Sequence, residues 1–154
     1  MPDLEAEIDA AFKALNDARE GSDPSGEAMA LTCLSQSLEE SGRLREAAAI
    51  HEQAVAVACE PAVRCAQAEL LMRRGKAQAA GATVGSYQAD FALHAFWRAE
   101  KFYRLADSPD EAEQARSEAA RMSRLSKPHG PIHGVGAIEV VAAGFVAPRC
   151  SGLS

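Results

Sequence analysis

His51 and Glu52 open like the first half of a two-histidine zinc motif, but Val55 stands where the second imidazole would be. A helical site of that kind needs two ligands one turn apart. His51 is therefore expected to pack between helices. Gly75-Lys76 has neither the preceding glycine loop nor the following Ser or Thr of a phosphate cradle, and reads as a turn. No G-x-S-x-G nucleophile elbow occurs, and Gly81 to Gly85 falls in a predicted helix with no strand before it. Ligand-type residues come together only near the C-terminal end, as His129, His133 and Cys150. Imidazole and thiolate suit Zn or Cu. Pro131 and the flanking glycines, however, oppose the helix that would align the two histidines, and metal sites demand pre-set geometry. The expectation is no metal, no cofactor and no enzyme, since no acid–base pair with a convergent partner is visible.

The chain's 154 residues suit one domain. Hydrophobic residues make up 47% but aromatics only 5%, so alanine dominates. Alanine lets helices approach closely while burying little area per residue. The net charge of −6 and sequence pI near 5.2 argue against nucleic acid, which needs clustered Lys and Arg. Residues 98 to 104 are a short basic exception. The acidic start lacks a basic n-region and apolar h-region, and no apolar run is long enough to span a bilayer. The chain reads as cytoplasmic, with no membrane partner. Cys33, Cys59, Cys65 and Cys150 lack CxxC spacing and are expected as free thiols there.

These residues sit on elements that the periodicity places. Leu4, Ile8, Phe12 and Leu15 mark an amphipathic helix over 3–20, with Asp3 as N-cap. A loop of turn formers follows over 21–26. Leu31, Leu34 and Leu38 begin a hairpin that turns at Ser41-Gly42 and returns through Ala47, Ile50, Ala54 and Val57 to Pro61. A second hairpin is predicted with its turn at Gly75: Val63 to Leu71 going out, Lys76 to Tyr87 coming back. Its return helix carries Gly81 and Gly85, each costing about 1 kcal/mol relative to alanine. The third packs on Phe96, Ala99, Phe102 and Tyr103. It turns at Asp107, with Ser108 as N-cap and Pro109 at the first helical position, and ends by Ser126. Gly42 with Ala47, Gly75 with Ala80 and Asp107 with Ala112 thus recur at about 33 residues, a period of stacked helical hairpins.

The fold expected is all-α: about seven helices, antiparallel hairpins stacked as a short superhelix over 1–126. Residues 127–154 form a Gly/Pro-rich C-terminal tail, irregular or extended. Its apolar stretches, Ala137 to Val141 and Phe145 to Ala147, are compatible with a strand that pairs with a partner or folds back into a groove.

The unit from Ala28 to Pro61 resembles a tetratricopeptide repeat through Leu31, Leu34, Ser35, Leu38, Gly42, Leu44, Glu46-Ala47, His51 and Ala54. Residues 61–87 keep mainly Leu71, Gly75 and Ala80. Residues 93–124 keep Phe96, Ala99, Tyr103, Glu111-Ala112 and Ala119, with Asp107 in place of the turn glycine. The resemblance implies a concave groove lined by the first helix of each hairpin. Its positions would be Met29, Thr32, Gln36 and Glu39; then Ala62, Cys65, Glu69 and Met72; then His94, Trp97, Lys101 and Arg104. Thr32 and Gln36 stand where the family's terminal-carboxylate clamp needs Lys and Asn, so that ligand is not expected. Trp97, the only tryptophan, is read either as a binding anchor or as core.

The function expected is a protein–protein interaction scaffold, an adaptor or small chaperone holding a peptide segment of a partner in that groove. In size and acidity it resembles the tetratricopeptide chaperones of type III secretion. The alternative is a substrate or carrier protein whose tail a partner enzyme modifies or recognises, the helices serving as a recognition leader. Exposed ends of a short stack also allow homo-oligomers.

Overall fold

The computed structural model describes residues 3–126, which form six helices. These are α1 (Leu4–Glu20), α2 (Pro24–Glu40), α3 (Leu44–Val57), α4 (Pro61–Ala80), α5 (Tyr87–Leu105) and α6 (Pro109–Leu125). No strand occurs among the described residues, and no helix there is long and apolar enough to cross a membrane. The expected tail, with His129, His133 and Cys150, lies outside the described residues.

Helix starts follow local chemistry. Asp3 accepts the Ala6 amide at 3.2 Å and Asp23 the Gly26 amide at 3.0 Å, satisfying donors that the first turn leaves open. Pro24, Pro61 and Pro109 occupy first-turn positions, where a missing N–H costs nothing. Three of the turns share one geometry. Ser22, Gly42 and Asp107 adopt left-handed φ of 51°, 86° and 56°. The next amide in each case reaches back to close the helix end: Asp23 N to Ala18 O, Arg43 N to Leu38 O and Ser108 N to Tyr103 O, at 2.8 to 2.9 Å. Asp107 thus does the work of the glycine it replaces.

Gly75 does not turn the chain, which corrects the predicted second hairpin and lowers the described helix count from seven to six. α4 runs unbroken through it. A Cβ at Gly75 would lie 2.6 Å from Phe96 Cε1, so the absent side chain serves close approach between α4 and α5. The chain instead turns over 81–86, where Gly85 has φ of 74° and Ser86 caps α5 by accepting the Ala89 amide at 3.2 Å. The glycines of the expected return helix, Gly81 and Gly85, end one helix and precede the next.

With α4 unbroken, the helices form two linked triplets. α2 packs against α1 and α3, α5 packs against α4 and α6, and α2 also meets α4 and α5. Leu31, Leu34, Leu38, Leu71, Phe96, Phe102 and Met122 are fully buried in a continuous core padded with alanine. A buried guanidinium joins the triplets. Arg64 donates from Nε to Ala58 O at 2.7 Å and from Nη1 to Leu105 O at 3.0 Å, at the C-terminal ends of α3 and α5. Those ends carry unpaired carbonyls and partial negative charge, so the cation both satisfies and neutralises them. Burial lowers the Arg64 pKa from its ordinary value.

Cys33 and Cys65 are free thiols, as expected. Cys59 is disulfide-bonded, contrary to expectation.

Helix propensity favours alanine over glycine by about 1 kcal/mol, yet overpacking a core costs about 1–3 kcal/mol. Gly75→Ala is expected to destabilise the protein by about 1 kcal/mol in urea denaturation. Adding Phe96→Leu should recover part of that loss; a more stable single variant would contradict the close-approach role.

Candidate functional site: a buried polar seam and its aromatic face

α2 carries Thr32, Ser35, Gln36, Ser37 and Glu39 at positions with almost no solvent exposure. An unpaired polar group at such a position is costly, and most of these residues find partners. Thr32 Oγ1 donates to Ala28 O at 2.9 Å, and Ser35 Oγ to Thr32 O at 2.9 Å. Gln67 on α4 reaches Thr32 Oγ1, Ala54 O and Ala28 O at 3.0, 3.1 and 3.3 Å through its amide nitrogen, touching both α2 and α3.

Further along α2 the seam becomes ionic. Arg74 on α4 donates to Glu40 at 2.8 Å and Glu7 at 3.2 Å. Gln36 donates to Glu40 at 3.3 Å, and Ser37 donates to Glu7 at 3.2 Å. Glu39 sits between two groups of α5: Oε2 accepts from Arg98 Nη1 at 2.6 Å and Oε1 lies 2.7 Å from His94 Nδ1. Burial alone would raise the Glu39 carboxyl. The His94 hydrogen bond and the Arg98 charge outweigh it and hold the group below its ordinary value.

On its other side the His94 ring stacks on Trp97, with centroids 5.8 Å apart and planes 24° from parallel. Trp97 is 43% exposed. The sequence thus folds into a relay from Glu7 on α1 to an aromatic surface on α5, in which each side chain positions the next.

The positions drawn from the repeat resemblance divide among three environments. Thr32, Gln36 and Glu39 are buried and bonded internally, which corrects their assignment to an open groove: α4 and α5 pack directly onto that face of α2. Met29 is half-buried. On α4, Ala62 is exposed and Cys65 is half-buried, 3.5 Å from Ser108 Oγ. Glu69 and Met72 line a surface depression of about 310 Å³ with Tyr103 and Gln114. An adjoining depression of about 380 Å³ lies between α4 and α6 along Met72 and Lys76. His94, Trp97, Lys101 and Arg104 lie on α5, where Arg104 pairs with Glu100.

A carboxylate holding an imidazole is half of an acid–base apparatus. Among the described residues, the His94 hydrogen bond leads to Glu39 and not to a serine, threonine or cysteine. No group of three or more His, Cys, Asp or Glu that could hold a metal ion occurs among them. What α5 presents at the surface is an indole stacked on an imidazole that Glu39 holds. Arg74, Arg98 and the Glu39–His94 contact escaped sequence reasoning, because each bond joins residues far apart in the chain.

His51 packs between helices as expected, edge-on to Phe102 with centroids 5.6 Å apart. Its Nδ1 is buried with no hydrogen-bond partner among the described groups. Burial first, then the charges of Arg98 and Lys101, hold it well below the ordinary histidine value of 6.5. Compared with known proteins, the chain matches no family model, no curated protein and no solved structure.

Glu39→Ala strands Arg98 and His94 in the seam, and losing one partner of a buried pair costs about 3 kcal/mol or more. Urea denaturation at neutral pH should show a loss of that size. Acid should destabilise the protein in two stages. His51, kept neutral when folded, contributes stability present above pH 6.5 and lost progressively below it, because the unfolded chain takes up the proton first. Glu39, with its depressed folded pKa, contributes stability present above about 4.5 and lost as pH falls through the lowered folded value. In His51→Leu the urea midpoint should stay flat between pH 7 and about 5.5. A slope as steep as the wild type's would show that other groups carry that acid sensitivity.

Proposed function

We propose that the chain is a tetratricopeptide-like interaction scaffold, an adaptor or small chaperone. It holds a segment of a partner protein against the outward face of α5. The observation that carries this reading is Trp97: a large apolar side chain, 43% exposed, set on an imidazole that Glu39 holds in place. Binding free energy concentrates at such residues, with tryptophan and arginine over-represented. A rigid anchor also loses little conformational freedom on binding. The net charge of −6 in turn disfavours nucleic acid as the ligand.

The test is capture from the native host with full-length wild type and Trp97→Ala, followed by titration of the captured protein in purified form. Loss of an anchor of this kind costs about 2 kcal/mol, so Kd should rise roughly 30-fold while the urea midpoint stays near the wild-type value. Arg45→Ala, an exposed change on α3, serves as the control and should leave affinity unchanged. Equal affinity of wild type and Trp97→Ala for the captured protein would remove the reading.

A further inference from the structure

The two triplets repeat one another. Each residue of α2 has a counterpart 65 positions on, in α5. The turn after α2 is closed by Ser41 N to Ser37 O, Gly42 N to Glu39 O and Arg43 N to Leu38 O. The turn after α5 is closed by Ala106 N to Phe102 O, Asp107 N to Arg104 O and Ser108 N to Tyr103 O. These are the same bonds shifted by 65 residues. Core positions match too: Leu31 with Phe96, Leu34 with Ala99 and Leu38 with Tyr103 are buried in pairs.

One face breaks the match. Thr32, Gln36 and Glu39 lie along one side of α2, at spacings of four and three, and are buried. Their counterparts on α5 are Trp97, Lys101 and Arg104. Trp97 and Arg104 are exposed, and Lys101 is half-buried. The face on α2 is covered by the triplet that follows it: α4 brings Gln67 to Thr32, and α5 brings His94 and Arg98 to Glu39. Among the described residues no third triplet follows α6, so the corresponding face of α5 stays open. Stacked units bury such faces against the next unit, and a terminal unit without a cap exposes one.

We propose that the partner segment is an α-helix, and that it stacks on α5 as α4 stacks on α2. It lies over Trp97, Lys101 and Arg104 and stands in for the first helix of a third unit. Its direction follows from the covered face. Thr32 meets Gln67 and, further along, Glu40 meets Arg74, so α4 runs parallel to α2. The partner helix therefore runs parallel to α5. The rise from Trp97 to Arg104 is about 10 Å, which two turns of helix span. A helix satisfies its own backbone groups and can lie directly on side chains. An extended segment would need a sheet edge, and the described residues contain no strand.

The proposal rests on the scaffold reading, and the experiment separates the two. The probe is a synthetic peptide: the segment of the captured protein that the full-length chain protects from hydrogen exchange. On binding the full-length chain it should gain α-helical circular dichroism. Proline at a central position where alanine leaves affinity unchanged should weaken binding at least 30-fold, because it breaks a helix. A nitroxide at the peptide's N-terminal end should broaden the Trp97 indole N–H signal more than the Arg104 amide signal. One at its C-terminal end should do the reverse. A peptide that fails to bind, binds through Trp97 without gaining helix, or tolerates the proline would overturn the helical occupant and leave the scaffold reading standing. The opposite broadening pattern would overturn the α4-like placement. If no host protein is captured, or Trp97→Ala leaves its affinity unchanged, the scaffold reading fails and this inference fails with it.

Discussion

The structure depends on burying one helix on several sides at once. α2 meets α1, α3, α4 and α5, so Thr32, Ser35, Gln36, Ser37 and Glu39 have no route to water. Their donors and acceptors must be met by protein, and the partners come from α2 itself, from Glu7 on α1, and from α4 and α5 through Gln67, Arg98 and His94. Alanine-rich helices alone offer little shape to fix how two triplets lock together. The polar seam supplies that register, because a slip of one turn would leave Glu39 without its partners on α5.

The same seam makes the α5 surface rigid. Arg74 and Arg98 alternate with Glu7, Glu40 and Glu39, so charge is compensated from the interior out to His94. An indole resting on that imidazole is held by the core rather than by its own helix alone. The exposed indole and the pairing of the buried helices thus belong to one hydrogen-bond system.

Much of the fold was legible in the sequence where the signals are local. Asp3, Pro109 and the turns at Gly42 and Asp107 were all readable, because caps and turns depend on a few adjacent residues. Gly75 was misread for the same reason. A glycine that ends a helix and a glycine that admits a neighbour look alike until Phe96 is known to face it. The candidate site was least legible. Thr32, Gln36 and Glu39 flank the leucine stripe of α2 and pass for solvent-facing residues, and only the packing of α4 and α5 shows them to be interior. Trp97 was picked out by its rarity, whereas the His94 platform beneath it depends on Glu39 from another helix.

Arg64 bears on how the molecule comes apart. One guanidinium holds the last carbonyls of α3 and α5, which belong to different triplets. Fraying at either helix end would release the cation from one acceptor while burying it against the other, an unfavourable half-open state. The two ends are therefore held shut together, and amide protons in the final turns of α3 and α5 would exchange through one shared opening. Helix termini, ordinarily the first parts of a helical protein to loosen, are here linked to its global cooperativity.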